Sequence, residues 1–383
     1  MTKMMNIKKG KILILTMAAT MIIGCSQGYA GSAEFSRNAE EANQISELPV
    51  KEIGVDEKHE TAEVSHGYGI GIKDSDNIYR RLYLGKGMNI GNALEAPKGE
   101  NWGVQMKVEY FDLIKEAGFD TVRMPVRFSD YSNNEGYILD ADFMLKIDLY
   151  IDYALDKGLN LILDFHHFEE IMYDMENEKN RLMSIWRQLS ERYKDYPREL
   201  VFELLNEPKD DLRGEILNEY LSELIKIVRE TNPTRLIIAG GEQFSSVEGL
   251  ENLSLPQDDN LLVTFHYYVP VEFAFQGNIY HEGYEHLQDI KWVGSREERN
   301  RIREDFLKVK NWADDNNVGV FLGEFGIVKT VPFEYRANWT KAIRSTAEEF
   351  EFAWSYWELC SHFGIYDDET SEWDTDMLRI LVN

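Results

Sequence analysis

From residue 79 to the C-terminus the chain repeats one pattern eight times. Short apolar runs, "LYLGKGMNIGN", "FDTVRMPV", "LNLILDFHH", "LVFELLNEP", "RLIIAGG", "NLLVTFHYY", "VGVFLGEFG" and "FAWSYWE", alternate with longer amphipathic stretches. The runs are strand-length and apolar on both faces, as strands buried on both sides must be. Between most of them lie segments of helical period such as "MKVEYFDLIKEAG", "DFMLKIDLYIDYALDKG", "RGEILNEYLSELIKIVRE" and "REERNRIREDFLKVKNWADDN". Strands alternating with helices imply a parallel sheet covered by helices. Eight repeats in this length fit an α/β fold of the (β/α)8 TIM barrel type better than an open doubly wound sheet. The glycine-rich "HGYGIG" stretch lacks the G-x-G-x-x-G spacing and a preceding strand, so it is no nucleotide loop.

The polar residues at the ends of these runs carry the functional signal. Run one ends in Asn92 and Glu95, two in Arg123, three in His166 and His167, four in Asn206 and Glu207. Run six ends in His266 and Tyr268, seven in Glu324 and eight in Trp357. Core packing would not choose such residues, and the C-terminal face of a barrel is where active sites are built. Glu207 and Glu324 stand 117 positions apart, yet a closed barrel would hold both at one mouth. Cleaving a glycosidic bond needs such a pair, one carboxyl protonating the leaving oxygen and the other meeting the anomeric carbon. A gap of ~5–5.5 Å between them would mean retention of configuration. Glu324 is then expected as the anion and Glu207 as the acid, its proton affinity raised by the neighbouring charge. His166-His167 is not expected to hold a metal, because adjacent strand side chains point to opposite faces and no Cys or third His stands by.

Taken together, "GMNIGNALEAP", "VRMPVRFS", "LDFHHFEE", "LLNEP", "FHYYVP", "FLGEFG" and "SYWE" resemble glycoside hydrolase family 5, the endoglucanase-type barrels. The resemblance runs over roughly residues 83–366. It implies a retaining endo-β-1,4-glucanase acting on cellulose-like or mixed-linkage β-glucan, without metal or organic cofactor. Glu207 would be the acid/base and Glu324 the nucleophile. Arg123 and Tyr268 would orient and charge-balance Glu324, and His266 would support the pair. Asn206 would bond the 2-hydroxyl of the sugar being cleaved, His166 and His167 other hydroxyls, and Asn92 and Glu95 the non-reducing side. Trp357 would be the stacking floor, since an aromatic ring suits the apolar face of a pyranose. Trp102, Trp292 and Tyr280 are candidate outer platforms. The chain departs from the family in the loop after run six, where Phe275 replaces a His and Tyr280 stands near the usual Trp. Two other readings fit the residues: a β-mannanase on the same scaffold, and a lipid-tethered glycan-binding protein that has lost catalysis. No G-x-S-x-G elbow appears, which weakens an acyl hydrolase.

The N-terminus has a different character. Lys3, Lys8, Lys9 and Lys11 precede an apolar run from Ile12 to Gly24, too short to span a bilayer, as in an export signal. Ile22-Ile23-Gly24-Cys25 resembles a bacterial lipobox, implying lipidation at Cys25; an ordinary signal peptide is the alternative. Residues 1–24 therefore read as a signal and 25–78 as a flexible acidic linker, followed by the catalytic domain at 79–383. Nine acidic against three basic residues between Ser26 and Val64, without apolar period, give the linker reading. Cys360 would be alone in the mature chain, so no internal disulfide is expected. The formal charge of −27 opposes nucleic acid or anionic lipid as partners and leaves neutral sugar polymers open. The expectation is an exported monomer, lipid-anchored at the cell envelope or secreted.

Overall fold

In the computed structural model the described residues are 83–383, so the signal, Cys25 and the whole linker lie outside them. All eight apolar runs form strands: β1 (Lys86–Asn89), β2 (Thr121–Val126), β3 (Asn160–Phe165), β4 (Leu200–Glu203), β5 (Ile237–Gly240), β6 (Leu261–His266), β7 (Gly319–Glu324) and β8 (Ala353–Tyr356). They pair in sequence order, and β8 pairs with β1 to close a parallel barrel. The expected helices are present at Glu109–Glu116, Ala141–Asp156, Gly214–Thr231 and Arg296–Asn316, with others at Met175–Arg192 and Phe333–Glu349. The helix at Arg296–Asn316 begins with a capping box, Ser295 accepting from Glu298 N–H while the Glu298 side chain accepts from Ser295 N–H. It stops at Asn317, whose left-handed φ of 56° cannot continue a helix. Among the described residues no helix is long and apolar enough to cross a membrane.

Alternation along each strand sorts the side chains into two populations. One set packs outward against the helices in a single large core. The other fills the barrel itself. At the N-terminal end of the strands the filling is apolar: Leu84, Ile162, Val201, Leu236, Ile238, Leu262, Phe321 and Ala353 form one separate buried cluster. Two residues further along, the inward positions become polar or charged, with Asn89, Arg123, Asp164, Glu203, Thr264 and Ser355 all fully buried.

The strands stop earlier than the runs suggest. β4 ends at Glu203, although Leu204 N–H still donates to Ile238 O and Asn206 N–H to Phe165 O, so the chain stays extended toward Glu207. β1 ends at Asn89, which leaves Asn92 and Glu95 in the following loop. Arg123 stands in the interior of β2, not at its end. β7 carries one irregularity: its register with β6 runs Phe265↔Leu322 and then His266↔Glu324, so Gly323 is an extra residue. That offset brings Glu324 to the inner side beside His266.

Candidate active site

β6 and β7 end side by side in His266 and Glu324, and the extended segment after β4 delivers Glu207 to the same point. One oxygen of each carboxylate and a ring nitrogen of His266 all lie within 4.8 Å of one another. Glu324 is almost enclosed, with 5% of its side chain exposed, whereas Glu207 keeps 26%. Glu207 sits in the left-handed region at φ 46°, a conformation costly for a residue with a side chain and common at functional sites.

Each oxygen of Glu324 has a dedicated donor. Arg123 Nη1 donates to Oε1 at 2.6 Å, and the Tyr268 hydroxyl donates to Oε2 at 2.8 Å. Burial, and next the charge of Glu324, push the Tyr268 hydroxyl far above its ordinary value, so it is a permanent donor. Burial alone would depress the Arg123 guanidinium, but the charges of Asp164, Glu203 and Glu324 outweigh it, and Arg123 stays cationic.

Glu207 differs from expectation. Burial pushes its carboxyl up, but His266 Nδ1 stands 2.7 Å from Oε1, and its hydrogen bond and charge hold the group below the usual range, helped by Lys209 and His167. Reciprocally, burial would lower His266, yet the charge of Glu324 and the bond to Glu207 raise it. The shared proton therefore rests on the histidine side. The neighbouring anion that was expected to raise Glu207 acts instead on His266, which stands between the two.

Asn206 presents its carbonyl oxygen to Arg123 Nη2 at 2.7 Å and its amide 3.5 Å from His166 Nε2. His166 Nδ1 faces Asp164 Oδ2, and the ring stacks on Trp357 with centroids 5.5 Å apart and planes 4° from parallel. Burial, then the nearby cations, keep His166 neutral. His166 and His167 do not diverge as strand neighbours would. β3 ends before them, and their rings meet edge to face at 4.6 Å. His167 is half-buried, 3.4 Å from Glu169 Oε1 and edge-on to Trp102 at 5.6 Å.

The loop after β1 has another construction. Glu95 is buried, and its carboxylate accepts the backbone N–H groups of Asn92, Ala93 and Leu94. It folds the loop and has little left for a ligand, contrary to the sugar-binding role expected of it. Asn92 donates to Ser361 Oγ at 2.6 Å and reaches toward Glu358 at 3.4 Å, so it too is engaged internally. Of the outer candidates, Trp292 is buried and cannot be a platform, Trp102 lines the rim under the Arg127 guanidinium, and Tyr280 is 62% exposed and stacked on His362 at 4.1 Å.

Four buried residues at this site escape the motif reading: Asn89, Asp164, Glu203 and Glu358. A signal for two of them was present, since "LILDF" and "VFELL" bury a carboxylate two positions after Ile162 and Val201, which needs a partner. Glu207, His266 and Glu324 have the ligand types for a cation. Their facing atoms are committed to one another, to Arg123 and to Tyr268, which suits proton transfer and charge stabilisation better.

The comparisons with known proteins converge. Residues 85–363 match the family described as cellulase, glycosyl hydrolase family 5. Endoglucanase H of Acetivibrio thermocellus is 34% identical over 78% of this chain, which spans only 33% of that longer protein. The cellulose synthase subunit Z of Clostridioides difficile is 52% identical, covers 78% of this chain and 100% of its own, and superposes with a TM-score of 0.77. Endoglucanase Cel5A of Thermotoga maritima is 41% identical, with coverages of 78% and 97% and a TM-score of 0.76. With the family model spanning most of its length and these relatives around it, the chain belongs to the cellulases of glycosyl hydrolase family 5.

Proposed function

We propose that the protein is a retaining endo-β-1,4-glucanase that cuts cellulose-like or mixed-linkage β-glucan by double displacement. The observation that carries this is the approach of Glu207, His266 and Glu324 oxygens and nitrogen within 4.8 Å, close to the spacing of retaining carboxyl pairs. Glu324, clamped between Arg123 and Tyr268, attacks the anomeric carbon. Glu207 protonates the departing oxygen and then takes a proton from the water that releases the product. The proton reaches Glu207 from His266: a glucan in the cleft strips water from the partly exposed Glu207, and burial is the factor that already pushes its carboxyl up. Asn206 reads the 2-hydroxyl, His166 and His167 other hydroxyls, and Trp357 carries a sugar ring. The test is reducing-sugar release from carboxymethylcellulose, barley glucan and galactomannan, with Glu324→Gln as blank. Release from the two glucans with retained anomeric configuration supports the reading; release from none refutes it.

A mannan-cleaving reading has one observation behind it. Thermotoga maritima Cel5A, at 40% identity, has been crystallised with mannotriose. The galactomannan arm measures that activity. Relatedness to a cellulose synthase subunit, at higher identity than to the Cel5A endoglucanase, favours a role in trimming cellulose as it leaves the cell. An export signal at residues 1–24, a lipid on Cys25 and a linker over 25–78 would place the barrel at that surface. Radiolabelled palmitate incorporation lost in Cys25→Ser would support the anchor.

A further inference from the structure

The guanidinium of Arg123 touches more than the nucleophile. Nε and Nη2 form a two-pronged pair with Glu203, at 2.7 and 2.9 Å, and Nη2 also lies 3.0 Å from Asp164 Oδ2 and donates to Asn206 Oδ1 at 2.7 Å. Nη1 is left for Asn89 Oδ1 at 3.0 Å and Glu324 Oε1 at 2.6 Å. A planar fork held along one edge can turn neither about its long axis nor away from its remaining target. Glu203 grips the edge opposite Glu324. Asp164 Oδ2 has a second partner, the Nδ1 of His166. Because His166 is neutral, its single proton sits where Asp164 accepts it, and Nε2 is left as an acceptor facing the cleft beside Asn206. The same ring lies flat against Trp357. Neither carboxylate reaches the cleft; both are fully buried beneath it.

Resting on the hydrolase reading above, we propose that Glu203 and Asp164 are positioning residues with different targets. Glu203 acts through Arg123 alone, whereas Asp164 holds both Arg123 and the His166–Trp357 sugar floor. One acts on the chemical step, the other on the chemical step and on substrate binding. Both substitutions remove a buried partner of one guanidinium, so a merely structural role would affect them alike.

The experiment uses the full chain with Glu203→Gln and Asp164→Asn, assayed on barley glucan and on an aryl β-cellobioside, with thermal unfolding alongside. In E203Q the kcat falls about 10–100-fold, the scale of a displaced reacting group, and KM stays within about 2-fold. In D164N a comparable fall in kcat comes with a KM raised about 3–10-fold, the worth of one hydrogen bond to substrate. Equal KM in the two variants, or a kcat within about 2-fold of wild type in folded E203Q, overturns the proposal. Should either amide variant fail to fold, Glu203→Asp and Asp164→Glu keep the charge while moving it by one carbon. They must then show the same split between kcat and KM, or the proposal fails. Wild-type chain that cleaves neither substrate refutes the hydrolase reading, and the assignment of roles falls with it; active wild type with no split refutes the roles alone.

Discussion

Two layers of the barrel interior, two residues apart along the same strands, are built on opposite principles. The layer at the N-terminal end of the strands holds Ile162, Val201, Leu262, Phe321 and their neighbours, without one charge. The layer above it packs one guanidinium against Asp164, Glu203 and Glu324. The lower layer gains free energy by removing apolar area from water. The upper layer takes ionic groups out of water, which is costly even when they are paired, and a well-packed apolar set would be as stable or more so. Stability cannot explain the upper layer. What it supplies is a fixed direction for Arg123, and through it a nucleophile that needs no rearrangement to act.

The comparison is broken most severely at its upper edge. Glu324→Gln should lower kcat by about 10⁴-fold or more on every glycoside, measured against the wild type in single-turnover assays. Glu207→Gln should cost about 10²–10⁴-fold on barley glucan but much less on an aryl glycoside whose leaving group needs no proton. Gly323→Ala should follow, lowering kcat about 10–100-fold with little change in KM. Its added carbon would stand 2.6 Å from Thr264 Oγ1 and 2.9 Å from His266 Nε2, too close for either to stay in place. By contrast Ile162→Val in the lower layer should reduce stability by about 0.5–1.5 kcal/mol and leave kcat unchanged. A kcat loss there equal to that of the Glu203 variant would erase the distinction between layers.

Acidity separates the layers as well. Burial is the main cause holding Asp164, Glu203 and Glu95 up to about 7 and Glu358 up to about 8. A carboxyl raised on folding binds its proton more tightly in the native state. Its stabilisation is complete below the unfolded value near 4 and is lost as pH rises through 7 to 8. Glu169, held at about 2 chiefly by His167 and Lys209 against the effect of burial, acts oppositely and only in acid. The unfolding temperature should therefore peak near pH 5 and decline toward pH 8 in a calorimetric series. A flat profile from pH 5 to pH 8 would contradict it.

The barrel was legible because its signal is periodic and repeated, and every one of the eight runs became a strand. Glu207, Glu324, His266, Tyr268, Asn206, His166 and Trp357 meet at one mouth because strand ends are a small target, and Arg123 reaches them from inside β2. Three features needed the third dimension. The state of Glu207 depends on whether His266 or Glu324 stands nearer, and only the fold decides that. Glu95 carries the same carboxyl in a loop, but short-range backbone donors capture it before any ligand could. His166 and His167 share a side because the strand has already ended, a boundary that periodicity locates only to a few residues.

The extra residue in β7 has a consequence for how such a site can be gained or lost. Strict alternation after Leu322 would turn the carboxyl at the end of the strand into the helical shell, where nothing awaits it. One glycine of slack rotates it half a turn, into reach of Arg123, Tyr268 and His266 together. Catalytic competence here is thus a matter of phase along a single strand: were Gly323 paired as an ordinary ladder residue, every functional side chain would still be in the sequence and the carboxyl would face away from the reaction.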